Sequence, residues 1–142
     1  MIQSIIDGII ASLRTEYDTS YRIYTESVEQ GLQEPCFSVL CLKPSGNREL
    51  NDRFKRFFPF MITYFPESDE PIAECNAVCE VLLGLLNDIR TDIGVVHASG
   101  TPSGEVIDGN LQFNIQYDVF AMLQRENEEK MAELTVDTSA ER

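Results

Sequence analysis

Positive charge is scarce in this chain. Its 142 residues hold 11 Lys and Arg against 24 Asp and Glu, a formal net charge of −13. A field of that sign repels phosphates, which argues against nucleic-acid binding through a phosphate-neutralising face. Long apolar runs are missing too. The longest, such as Val81-Leu82-Leu83-Gly84-Leu85-Leu86, falls far short of the roughly 20 residues a helix needs to cross a bilayer. The first residues, Met1–Leu13, lack a basic start, and Asp7 interrupts their apolar stretch. They do not read as a signal peptide, and a cytoplasmic origin is the default expectation.

Chemistry-bearing sets are also absent. His97 is the only histidine. No nucleophile or orienting carboxylate lies at a spacing that would make it a general base, so it reads as a structural side chain in a strand. The glycines at 94, 100, 104 and 109 are spaced like turn residues and not like a phosphate-cradling fingerprint. Cys36, Cys41, Cys75 and Cys79 do not form the paired short knuckles of a zinc site. Cys36 and Cys41 should point to opposite faces of a strand, and all four read as small, reduced, mostly buried hydrophobes. The expectation is a protein with no catalytic set, no cofactor and no metal, one that docks and does not catalyse.

What is present is an ordinary globular composition, 43% hydrophobic and 25% charged. The length suits one domain with one core. Residues 1–125 read as that domain and 126–142 as an acidic tail or arm. Ile2, Ile5, Ile6, Ile9, Ile10 and Leu13 recur at helical spacing, predicting a helix over 2–17. Strands follow at Tyr21–Thr25 and Cys36–Leu42, joined by a polar loop through Glu34-Pro35. Residues 44–52 read as a loop by composition. Arg53–Pro66 is the richest aromatic segment. It reads as a long central strand covered on both sides, with Pro59 marking a bulge or a missing neighbour. Residues 71–90 predict a second helix, capped by Ser68 or Asp69, with Pro71 in its first turn.

The last third reads as β structure. Strands are expected at Ile93–Ser99 and Glu105–Asp108, with a turn at 100–104 and a tight turn at Gly109-Asn110. Leu111–Leu123 alternates cleanly, with Leu111, Phe113, Ile115, Tyr117 and Val119 on one face. Glu133–Asp137 has weak strand character, compatible with a frayed end or with an arm that adds a strand to a neighbour. The expected fold is α/β (α+β), a mixed, largely antiparallel sheet packed against two helices.

One basic cluster stands out, formed by Arg53, Lys55 and Arg56. It is either a solvated strand end that discourages aggregation or one half of a charged contact. In the second case it would meet an acidic loop carrying Glu26, Glu29 and Glu34 on the next subunit. A head-to-tail contact of that kind closes into a ring when the rotation allows.

Short blocks along the chain resemble the tail-terminator-like proteins of phages and prophages of Gram-positive bacteria. They are Ile5-Ile6-Asp7, Ile23-Tyr24-Thr25-Glu26, Gln30-Gly31-Leu32, Glu34-Pro35-Cys36-Phe37 and Tyr64-Phe65-Pro66. Glu74-Cys75-Asn76, Gly104–Leu111, Tyr117–Phe120 and Glu133–Asp137 extend the resemblance over nearly the whole chain. The resemblance implies a hexameric ring that caps the tail tube, stops its polymerisation and joins it to the head-side connector. Implied partners are copies of itself, the tube protein, and a sheath or connector protein, with DNA only passing through the lumen and no membrane. It also implies a place in a virion, or in a headless contractile phage-tail-like particle, assembled in the bacterial cytoplasm. A head–tail connector or neck protein is the alternative in the same setting. The family carries no catalytic residues onto this chain.

Overall fold

The computed structural model describes residues 1–26, 31–49, 53–124 and 133–137; at 49, 121–124 and 133–137 only the backbone is described. The chain folds as a mixed α+β protein. Two helices pack on a curled, mostly antiparallel sheet with strand order β1-β2-β4-β7-β6-β5, β3 pairing with β4 and β8 with β7.

Helix α1 spans Ile2–Glu16 and buries Ile5, Ile9 and Leu13, as the spacing predicts. Gly8 is the point of closest approach to strand β5 (Asp88–Thr91). A Cβ there would sit 2.8 Å from both the Arg90 carbonyl oxygen and Thr91 Cγ2, so only glycine permits this contact. After the helix, the Arg14 guanidinium donates to the carbonyls of Asp18 and Tyr21 at 2.6 and 2.7 Å and closes the turn into β1 (Arg22–Tyr24). Strand β1 lies parallel to β2 (Cys36–Cys41), and β2 runs antiparallel to β4 (Arg53–Phe65).

The expected loop at 44–52 is instead largely strand. Ser45–Glu49 forms β3 and pairs with Phe57–Arg53 of β4. Ser, Gly and Asn have poor strand propensity, but the open edge of β4 beyond β2 supplies backbone partners, and pairing overrides local preference. Pro59 occupies the gap between the two partners of that edge. Its carbonyl accepts from Leu42 N at 2.7 Å, so its missing N–H faces the corner between β2 and β3 and breaks no ladder.

Strand β4 is covered on one side. Phe58, Phe60, Ile62 and Tyr64 are buried among both helices, whereas Phe57, Pro59, Met61 and Phe65 are only half-buried. The expectation of cover on both faces fails because α1 and α2 contribute to the same core. Helix α2 spans Pro71–Leu85, with Glu70 at the cap position and Pro71 at N1. Neither Ser68 nor Asp69 is the cap; Ser68 Oγ accepts from Glu70 N. The helix stops short of 90, and Ile89 reaches the core from β5. Helix and strand deliver apolar side chains to the same place, so the spacing alone runs on through the boundary.

Strand β6 is one strand, Gly94–Ile107, where two strands and a turn were expected. Its register with β7 shifts between Ser99 and Ser103, and Gly100 takes φ +67° there. The turn into β7 (Asn110–Gln124) is centred on Asp108 and Gly109, with φ of 54° and 79°, one residue earlier than predicted. Along β7 the alternation holds, with Leu111, Phe113, Ile115, Tyr117 and Val119 buried. Strand β8 (Glu133–Asp137) pairs antiparallel with Gln124–Phe120 of the same chain.

Candidate functional site

Reactive side chains are dispersed. Cys36 and Cys75 are buried and Cys41 and Cys79 half-buried, all as free thiols, and burial pushes each of them up, Cys36 to about 11. Such thiols are poor nucleophiles and poor ligands at neutral pH. Among the described residues no three His, Cys, Asp or Glu side chains converge in a way that could hold a metal ion. His97 sits on the exposed β5–β6 hairpin, its Nδ1 against Asp88 Oδ1, opposite it in the ladder.

The concentrated feature is the starting end of β4. Alternation along the strand divides it into two faces. On one face Arg53 and Lys55 share the ring of Phe120. The Arg53 guanidinium carbon lies 4.8 Å from its centroid, and Lys55 Nζ lies 5.2 Å from it and 5.3 Å from Phe57. Lys55 faces Phe120 directly in the β4–β7 register. On the other face Arg56 and Arg48 flank Phe54 at 5.0 and 5.9 Å, and Arg48 is opposite Phe54 in the β3–β4 register. Gly46, opposite Arg56, leaves room for its stem, since a Cβ there would lie 3.0 Å from Arg56 Cδ.

Stacking on aromatic rings restricts the direction of these cations. Arg53 Nε is removed from solvent and makes no hydrogen bond. Two cations thus stand on each face of the start of β4, in a chain of net charge −13.

The structure sets Arg53 and Lys55 on one face of β4, with Phe57 and Phe120, and Arg56 on the other, with Phe54 and Arg48. The odd–even alternation of 53–57 was readable; Phe120 and Arg48 enter through strand register, which no local pattern reveals. The acidic residues lie elsewhere. Glu26 and Glu34 are exposed around the β1–β2 connection, and Glu29 falls outside the described residues. Cys36, two positions after Glu34, pairs with Phe65 at the far end of β4. The 13 residues of β4 separate the two charged regions along the strand.

The arrangement is therefore a basic, aromatic-backed strand end, and the described residues hold no metal-binding cluster beside it. A family model described as "Phage tail terminator protein" matches residues 4–131. This chain belongs to the phage tail terminator family. The match spans both helices and β1–β7. Phage tail terminator proteins are structural components of the tail, so association with other tail proteins and with the virion follows from membership. Among the described residues no helix is long and apolar enough to cross a membrane. No curated protein matches the chain.

Proposed function

We propose that this protein forms a ring, six-membered as the resemblance implies, that caps the tail tube. The ring ends tube polymerisation and joins the tube to the head-side connector. The family match over residues 4–131 carries this reading. Two physical features support it. The described residues form one core under one sheet face, and the cluster Arg53, Lys55 and Arg56 lies at the start of β4 while Glu26 and Glu34 lie toward its other end, which suits a repeated subunit contact. A net charge of −13 also suits a lumen through which DNA slides without being held. Partners are further copies of the chain, the tube protein, and a sheath protein or connector. The particle, a virion or a phage-tail-like contractile device, is assembled in the host cytoplasm.

The test is particle morphology in the absence of the protein. Abnormally long tubes are the expected outcome. Tubes of normal length that fail to join heads would assign the protein to the connector instead, and normal particles would overturn both. Charge mapping on the assembled ring tests the lumen: a neutral or basic inner wall would remove that part of the reading.

A further inference from the structure

We infer that neighbouring subunits meet edge to edge, with β8 of one copy pairing antiparallel with β3 of the next and joining their sheets. This rests on the ring proposed above and names the strands that build it. Beyond β2 and β6 the long strands β4 and β7 run on together, and each gains one further partner. Strand β3 lines the outer side of β4, and β8 lines the outer side of β7. Three ladder rows cross all four strands: Asn47–Lys55–Phe120–Asp137, Arg48–Phe54–Ala121–Val136 and Glu49–Arg53–Met122–Thr135. Among the described residues no strand pairs with the far side of β3 or of β8. This four-stranded patch therefore ends on both sides, at the same level, in backbone groups that a further strand would satisfy.

Chain direction decides how the two edges combine. Strand β3 runs antiparallel to β4, whereas β8 runs antiparallel to β7 and so parallel to β4. The two edge strands are thus opposed in direction. A rotation about an axis along the strands keeps every row at its level and brings the β3 edge of one copy to the β8 edge of the next, already antiparallel. Pairing of like edges, β3 on β3 or β8 on β8, needs a twofold axis and closes as a dimer, so it does not build the ring.

The other margins of the sheet are defended, and these two are not. Strand β1 is three residues long; β5 is four and packs against α1 at Gly8. Strand β6 loses its register between Ser99 and Ser103, with Gly100 at φ +67° and Pro102 inside the break. Short length, cover, bulges and proline are the devices that keep edge strands from pairing. Strands β3 and β8 are five residues each, hold no proline or lysine, and keep register with their own neighbours throughout.

Engineered disulfides test the contact. In one chain β3 and β8 are three strand spacings apart, about 14 Å, and a disulfide needs Cα atoms within about 7 Å. A disulfide joining these strands is therefore a link between copies. N47C and E49C are each combined with T135C and with D137C, which covers neighbouring registers. The mixtures are oxidised with diamide, both as free full-length protein and in particles assembled from both variants, with the unsubstituted protein as the control for its own thiols. The expected product is a mixed disulfide in about tenfold excess over either like-with-like disulfide. The matching double variant should give a ladder of covalent oligomers that stops at the ring. A mixed yield no higher than the like-with-like yields, or than the unsubstituted background, in both preparations overturns the proposal.

Hydrogen exchange gives the second readout. On assembly, alternate amides of 45–49 and of 133–137, those turned away from β4 and β7, should slow by about tenfold or more. Unchanged exchange at both strands would overturn this contact while leaving tail termination standing. Normal tail length without the protein would overturn termination itself, and the disulfides would still decide the contact.

Discussion

Tyr64 and Glu74 tie the central strand to α2. The Glu74 carboxylate accepts from the Tyr64 hydroxyl and from the amides of Ser68 and Glu67, at 3.1 and 3.4 Å for the two amides. Burial on its own would raise the Glu74 carboxyl, but the hydrogen bonds from Ser68, Tyr64 and Glu67 outweigh it and hold the group below the usual carboxylate range. Burial and then Glu74 push Tyr64 far up, so it stays a donor across the working range. Because the folded value of Glu74 is depressed, its contribution is present above the unfolded value of about 4.3 and is lost as pH falls through the folded one. Glu74→Gln is expected to lose about 1–2 kcal/mol at neutral pH and less under acid, giving a shallower acid limb in urea unfolding measured against pH. At this scale the basic trio was legible because Arg53, Lys55 and Arg56 are close in sequence. Their ring partner Phe120 was not, since 65 positions of chain separate it from Lys55 and only the β4–β7 ladder joins them.

The β6–β7 turn shows what an element asks of two residues. Asp108 and Gly109 both take positive φ, the backbone of a tight hairpin whose twist matches its strands. Gly109→Val puts a β-branched side chain where φ is +79°, and a loss of about 1–2 kcal/mol is expected in denaturant melts. Asp108→Asn should be near neutral there, because asparagine tolerates the same region. Strand β8 makes a second testable element. It pairs with Phe120–Gln124 on the edge of β7 opposite β4. Truncation after Gln124 should speed amide hydrogen exchange at alternate residues of 120–124 by about tenfold or more, with Leu111–Tyr117 unchanged. Protection that stays the same in the truncated chain would show that β8 contributes nothing to that edge. The two misread boundaries, at 44–52 and 86–91, have one cause. Both segments take their structure from neighbours that were distant in sequence, an open edge of β4 for β3 and the 94–97 segment of β6 for β5.

At the scale of the whole molecule, charge dominates. Self-repulsion in a chain of net charge −13 opposes compaction and is screened by salt. Its melting temperature should therefore rise by a few degrees, about 2–5 °C, between about 10 mM and 200 mM salt in a thermal melt.

What the amino-acid sequence determined by itself was local and periodic. It set the two helices, the alternation of β7, the proline-marked irregularity of β4, the single concentration of positive charge and the scattered blocks that resemble the terminator family. Each of these is written in the spacing of neighbouring residues. The tertiary structure alone decided that both helices share one sheet face, that Ser45–Glu49 is a strand, and that Arg48 and Phe120 complete the basic end. It alone placed that end at the start of β4 and Cys36, two residues after Glu34, at the other end. Those facts depend on register between distant strands, which is fixed by burial of one face and by backbone pairing, and neither leaves a mark in local sequence.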